Sequence, residues 1–347
     1  MKAWIIDRRC NLETETAPLK RIEMPVPEPG EGEILLRIKA CGICHTEIDE
    51  IEGRTPPPVY PVIPGHQVIG VVEKHRGKRT DIHEGDRVGV AWIYAACGHC
   101  EYCLSHRENL CRDFMATGRD VHGGYAEYMV AREDYVYPIP EIFSDAEAAP
   151  LLCAGAIGYR SLTLGNIRDG DSLGFTGFGA SAHLMVKLVQ FIYPRSAMYV
   201  FARHESERKF ALELGCDWAG DFMSDPPVEL NCIIDTTPVW GPVVEALRCL
   251  KPGGRLVINA IRKEEADQHL LQELNYSKHL WMEKEIKSVA NVTRNDVTEF
   301  ISMAAAMPFR PEVQLYPFEQ ANTAILDIKR RNIRGAKVLM LHDFTSR

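Results

Sequence analysis

Four cysteines, Cys97, Cys100, Cys103 and Cys111, fall within the stretch CGHCEYCLSHRENLC, spaced C-x2-C-x2-C-x7-C. Thiols this dense along the chain can close around one tetrahedral ion. Zinc suits four thiolates, and a closed four-sulfur shell leaves no position for substrate, so the pattern reads as a structural site. Four-cysteine sets also hold iron–sulfur clusters. Disulfides are a third chemistry open to 11 cysteines. Against them stand the length of the chain and its opening MKAWIIDRRC, which turns charged within seven residues and offers no apolar signal segment. Further cysteines and a histidine remain for a second, more open metal site.

The turn GFGASA (177–182) offers a different chemistry. It lies between a strand-like run and a helix-like one, the context a dinucleotide fingerprint requires. Gly177 suits the tight turn, and Gly179 lets the backbone approach a pyrophosphate. Ala180 opens the helix whose N-terminus then receives it, and Ala182 takes the third glycine position. An ordinary glycine turn in a doubly wound domain would look similar. About 20 residues on, an NAD site carries an acid for the ribose 2′-hydroxyl. Here the chain reads FARHE. Ala202 supplies no carboxylate, while Arg203 and His204 can pair with a 2′-phosphate. That favours NADP(H) over NAD(H), with Glu205 as the competing reader of the ribose.

Two kinds of domain must position these residues. The chain has 347 residues, 46% of them hydrophobic, enough for about two domains with sizeable cores. A net charge of -8 argues against general binding to nucleic acid or a membrane surface, and basic runs such as KRRNIR (329–334) read as solvated surface. No apolar run approaches the roughly 18 residues of a membrane span. Reduced cysteines without an export signal point to the cytoplasm. In the first 150 or so residues, the runs 33–41, 68–75, 87–94 and 124–131 read as strands separated by Gly and Pro turns, a β-rich, barrel-like domain. Strands at 171–177, 197–202, 231–235, 255–260 and 284–292 then alternate with helices at 180–193, 206–215 and 242–250, as in a parallel doubly wound sheet. The strand 336–341 is placed to return to the first domain.

The segments KACGICHTEID (39–49), PVIPGHQVIGVVE (61–73) and APLLCAGAIGYRSL (149–162), with the four-cysteine lobe and the glycine turn, resemble the zinc-dependent medium-chain alcohol dehydrogenases. The resemblance covers almost the whole chain in the same order. It implies an α/β protein: a GroES-like catalytic domain (1–152) carrying the zinc lobe 97–111, a Rossmann domain (153–292) and a C-terminal return (293–347). It also implies two zinc ions per chain. The catalytic one would sit on Cys44, His66 and Cys153, three ligands that leave a fourth position open; the structural one would sit on the lobe. Cys41 is the neighbouring thiol, read as a buried strand-end residue, and Cys10, Cys216, Cys232 and Cys249 as inert core thiols. The implied reaction exchanges a hydride between an alcohol or aldehyde and NADP(H) in a cleft between domains. Thr46 matches the first proton-relay hydroxyl, although a threonine there could also cap a helix. His45 matches a contact to the pyrophosphate, and Asp49 holds the distal relay position.

Three residues depart from the family pattern. Asp49 stands where His is frequent and cannot shuttle protons in the same way at neutral pH. Glu47 stands where Asp is commoner, and Gln67 replaces the Glu that follows the PGH histidine. Trp92 and Ile93 are candidate pocket walls, as are Val239 and Trp240, with core packing as the competing role. The alternatives to an NADP(H) enzyme are an NAD(H)-preferring one, a catalytically weak zinc- and dinucleotide-binding sensor, and an alkene or quinone reductase; members of the last class usually lack both zinc sites. A homodimer or homotetramer is expected through the Rossmann domain, whose run 284–292 reads as an exposed edge strand.

Overall fold

The structure, a computed structural model, describes residues 1–308, 310–330 and 335–341, and for Ala180 the backbone only. Part of KRRNIR and the chain beyond residue 341 lie outside the described residues. The chain forms two compact units, Met1–Ala156 with Val292–Arg347, and Ile157–Asn291.

In the first unit the long strand Glu33–Ile43 organises a seven-stranded sheet. It pairs antiparallel with Val68–His75, Tyr128–Arg132 and Ala336–Met340. Arg87–Val90 and Val136–Pro138 extend the sheet on one side, and Val313–Pro317 on the other. Ile34, Leu36 and Ile38 alternate into a core shared with Val68, Val72, Val88 and Val90, and Leu35, Ala40 and Cys41 are buried as well, so much of this strand is covered on both faces. Two runs that look continuous in sequence are broken. The stretch 87–94 divides into Arg87–Val90 and Ile93–Ala95, with Trp92 O taken by the N–H of Thr117 at 2.7 Å. The strand expected over 124–131 is Tyr128–Arg132. Its first residues bond elsewhere: Tyr125 N donates to Pro64 O at 3.0 Å and Tyr125 O accepts from Trp4 at 2.8 Å. Those bonds lock the loop that carries His66.

The second unit holds a six-stranded, wholly parallel sheet. Its order is Trp218–Gly220, Ala197–Phe201, Ser172–Thr176, Leu230–Asp235, Leu250–Ile258, Glu285–Ser288. Numbered along the chain this is 3-2-1-4-5-6, the doubly wound order with its reversal beside Ser172–Thr176. Leu173, Phe175, Val200, Ile233, Ile234, Leu256 and Val257 are buried in near-continuous apolar runs, as strands covered on both faces require. The helices Ala180–Ile192, Glu205–Glu213 and Gly241–Cys249 connect them. The last strand is shorter than the expected 284–292, and Glu285–Ser288 is exposed throughout at the sheet edge. No described helix is long and apolar enough to cross a membrane.

Candidate active site

Cys44 follows the strand Glu33–Ile43 directly and N-caps the helix His45–Ile51; its Sγ accepts from Thr46 N at 3.4 Å. The cap is therefore the cysteine, and Thr46 sits half-buried in the first turn. Cys44 Sγ lies 3.6 Å from His66 Nε2, and Cys153 Sγ lies 3.4 Å from the same nitrogen. The three donor atoms all fall within 4.8 Å of one another, close enough to share one ion. Cys41 is fully buried and its thiol donates to Gly42 O at 3.5 Å, apart from that set.

Glu47 ties the set together. Oε2 accepts from Cys44 N at 2.8 Å, and Oε1 lies 2.8 Å from His66 Nδ1. A carboxylate behind the ring favours the tautomer with the proton on Nδ1 and leaves Nε2 a lone pair facing the two thiols. Glu47 is wholly buried and His66 is 1% exposed, so the orientation is fixed. Gly65, which precedes His66, has φ +99, and a Cβ there would come within 2.4 Å of the Tyr125 ring. The glycine of PGH thus lets the loop pass this ring. The donor chemistry fits a divalent cation: a hydrogen bond with Cys153 and burial hold the Cys44 thiol well above its usual range. A cation would supply the charge that two thiolates need.

The four-cysteine lobe also closes up. Its donor atoms lie within 4.8 Å of one another, with Cys97 and Cys103 Sγ 3.8 Å apart and Cys100 and Cys103 Sγ 3.6 Å apart. Cys100 N-caps the short helix Glu101–Leu104, Cys103 lies in it, and Cys111 follows the turn Glu108–Leu110. The backbone N–H groups of His99 and Cys100 hold the Cys97 thiol down at about 6, ready to bind as thiolate.

The other expected site residues fall at separate places. His45 is exposed at the start of its helix. Asp49 Oδ1 accepts from Arg54 Nε at 2.6 Å, so its carboxylate is held in an ion pair. Gln67 is buried, and its Nε2 has no partner. Trp92 is 8% exposed, packed on Phe114 with ring centroids 5.2 Å apart and the Arg119 guanidinium 5.4 Å from its ring.

In the second unit Gly177 has φ +80, and a Cβ there would sit 2.8 Å from Thr236 Oγ1. Gly179 N-caps Ala180–Ile192, and a Cβ on it would meet nothing within 4 Å. That open space before a helix N-terminus is what a pyrophosphate needs. Ala182 is wholly buried in the first turn of that helix. Beyond the strand Ala197–Phe201, Ala202 is buried while Arg203 and His204 are exposed. The Glu205 carboxylate pairs with Lys209 at 2.9 Å. Sequence reading missed Arg208, whose Nη1 donates to Ala202 O at 2.7 Å and to Arg203 O at 3.0 Å and brings a second guanidinium to this strand end. Its only sequence signal is its place one helical turn after His204.

Comparison with known proteins agrees with this architecture. Residues 30–141 match the alcohol dehydrogenase GroES-like domain. A probable alcohol dehydrogenase AdhA from Mycobacterium tuberculosis is 38% identical, the match covering 98% of this chain and 97% of the relative. A mannitol dehydrogenase from Apium graveolens is 30% identical over 88% of this chain and 85% of its own. A cinnamyl alcohol dehydrogenase structure from Sorghum bicolor superposes with a TM-score of 0.84 at 25% identity, covering 98% of this chain and 97% of that one. The chain belongs to the zinc-type medium-chain alcohol dehydrogenase family.

Proposed function

We propose that the protein is a zinc-dependent oxidoreductase that interconverts alcohols and aldehydes or ketones with NADP(H). The observation that carries this reading is the convergence of Cys44, His66 and Cys153, with Glu47 holding the back of the imidazole. Cys97, Cys100, Cys103 and Cys111 would hold a second zinc in a structural role. A zinc held by Cys44, His66 and Cys153 would supply a Lewis acid for the substrate oxygen, and a bound nicotinamide would supply the hydride acceptor or donor. The protein's own part is then to fix the ligands and to move one proton. Glu47, against Nδ1, would hold the ring so that its Nε2 lone pair faces the zinc. Thr46, two residues after Cys44 in the first turn of the same helix, would take the proton from the alcohol in oxidation and return it in reduction. Asp49, held by Arg54, would serve to anchor the end of its helix. The first unit would be the catalytic domain and the second the dinucleotide domain.

NADP(H) is supported by Arg203 and His204 beyond a strand that lacks an acid at Ala202, and by Lys209 engaging Glu205. Charge-assisted bonds to a partly screened 2′-phosphate give a preference on the order of 10- to 100-fold. Arg203→Asp is expected to shift kcat/KM toward NADH without changing zinc content. The test is kcat/KM of the zinc-loaded protein with NADPH and NADH over a panel of alcohols and aldehydes. No turnover with any of them would refute the enzyme reading, and an Arg203→Asp variant with an unchanged cofactor ratio would refute the cofactor reading. A homo-oligomer through the exposed edge Glu285–Ser288 is expected as well, because an unpaired strand invites a symmetry mate. A monomer mass by light scattering at micromolar concentration would refute it.

A further inference from the structure

At the carboxyl ends of the parallel strands lies a buried ionic hub that the chemistry above does not use. Asp235 ends the strand Leu230–Asp235 and is wholly buried. Its Oδ1 accepts from Thr176 Oγ1 at 2.6 Å, from Thr237 Oγ1 at 2.7 Å and from Thr237 N at 3.2 Å. Its Oδ2 accepts from Lys263 Nζ. The lysine, whose side chain is 7% exposed, spends its other two donors on Thr237 O at 2.7 Å and Val239 O at 3.0 Å. An ammonium has three donors, and here each has an acceptor.

A buried ion pair is a poor way merely to hold strands together, since an apolar pair of similar volume does as well. What the lysine adds is specific to the segment 236–240. Two carbonyls of that segment point inward and must be satisfied, and Pro238 brings no N–H of its own. The rest of the segment is pinned too. Thr236 N and Oγ1 each donate to Thr176 O at 2.9 Å, next to the glycine turn. Trp240 N and Gly241 N both donate to Asp267 Oδ2 at 2.8 Å, and Glu264 N donates to Pro238 O at 2.6 Å. The stretch after the strand Leu250–Ile258 is thus stitched onto 236–241, with Lys263 as the central tie.

This platform sits where the strand order reverses, the place at which doubly wound sheets bind ligands. With a pyrophosphate on the Gly177–Gly179 turn and a ribose read beyond Ala197–Phe201, the other half of a dinucleotide extends over the end of Leu230–Asp235. We propose that Lys263 is a positioning residue that fixes the 236–240 platform against which the nicotinamide half of the cofactor is held. The proposal rests on the dinucleotide reading and adds to it which buried residue sets the affinity of one half only.

The experiment compares whole cofactors with fragments that lack the nicotinamide. Dissociation constants are measured by fluorescence quenching or calorimetry for NADPH against 2′-phospho-ADP-ribose, and for NADH against ADP-ribose. The proteins are wild type, Lys263→Met, and the double variant Asp235→Asn/Lys263→Met, which removes the carboxylate the single change would strand. In the double variant the whole cofactors are expected to bind at least about tenfold more weakly, with the fragments unchanged within about twofold. Equal weakening of cofactor and fragment, or a double variant that binds both as wild type does, would overturn the proposal. A wild-type protein that binds neither the fragments nor the cofactors would overturn the dinucleotide reading itself.

Discussion

The two sulfur-rich clusters of the first unit use the same element of chemistry and are built in opposite ways. The lobe takes all four donors from one stretch, Cys97 to Cys111, with turns and short helices to fold them together. The trio gathers Cys44, His66 and Cys153 from a strand end, a loop and the turn after a short helix. Their surroundings differ as well. Around the trio lie buried acids: Glu47 against the His66 ring, and Glu50 one helical turn further on the same face. On the reading proposed above, the lobe offers four donors and would close a tetrahedral shell, while the trio offers three donors with a carboxylate behind and would leave a fourth position open.

The largest expected effects come from breaking each cluster in turn. Cys44→Ala should lower kcat/KM for alcohol oxidation by on the order of 10³-fold or more, because a two-ligand site does not hold the metal in place. Metal analysis should then find about one zinc per chain, with melting little changed. Cys103→Ala should do the reverse. It costs a few kcal/mol of stability, read from denaturant midpoints, because a structural zinc contributes folding free energy. Turnover at low temperature should survive. Equal losses of activity and stability in both variants would erase the distinction. A smaller effect tests Glu47: Glu47→Gln keeps the size and removes the charge behind His66. Zinc affinity at the trio, measured by chelator competition, should fall about 10- to 100-fold, with the lobe unaffected. Glu47→Asp should recover part of it.

How much of this was legible in the sequence follows from what is local. The lobe, the glycine turn and the alternation of strands and helices are patterns within short windows, and the structure has them near the expected residues. Cys44, His66 and Cys153 came from a family resemblance, because nothing in their spacing draws three distant donors together. The broken strands at 87–94 and 124–131 were misread because their pairing partners are remote, at Thr117, Trp4 and Pro64. The same limit hid the Lys263–Asp235 tie: Lys263 lies in a charged run, RKEE, with no local signal of burial, and only the fold buries it. Asp49 was a relay candidate only through the family resemblance; its pairing with Arg54 depends on how the chain turns after its helix.

Glu50 offers the smallest and sharpest test of what surrounds the open cluster. It is 1% exposed, and neither carboxyl oxygen has a hydrogen-bond partner. Burial first, and then the negative charge of Glu47, hold its carboxyl well above the usual glutamate range. Glu133 in the same unit shows the contrary outcome. Against the cost of burial, the N–H groups of Arg79 and Lys78 and the nearby His75 hold it at about 2. For an acid whose folded value is raised, the folded state binds the extra proton. Stability is then lost as pH rises from the unfolded glutamate range toward the folded value. Glu50→Gln removes the ionisation, so it should be near neutral at pH 4.5 and stabilising at pH 8, by about 1 kcal/mol or more. Thermal melting of the zinc-loaded protein at the two pH values reads the difference directly. A variant equally destabilised at both would mean that Glu50 has a partner in solution and that the buried acids form a satisfied network.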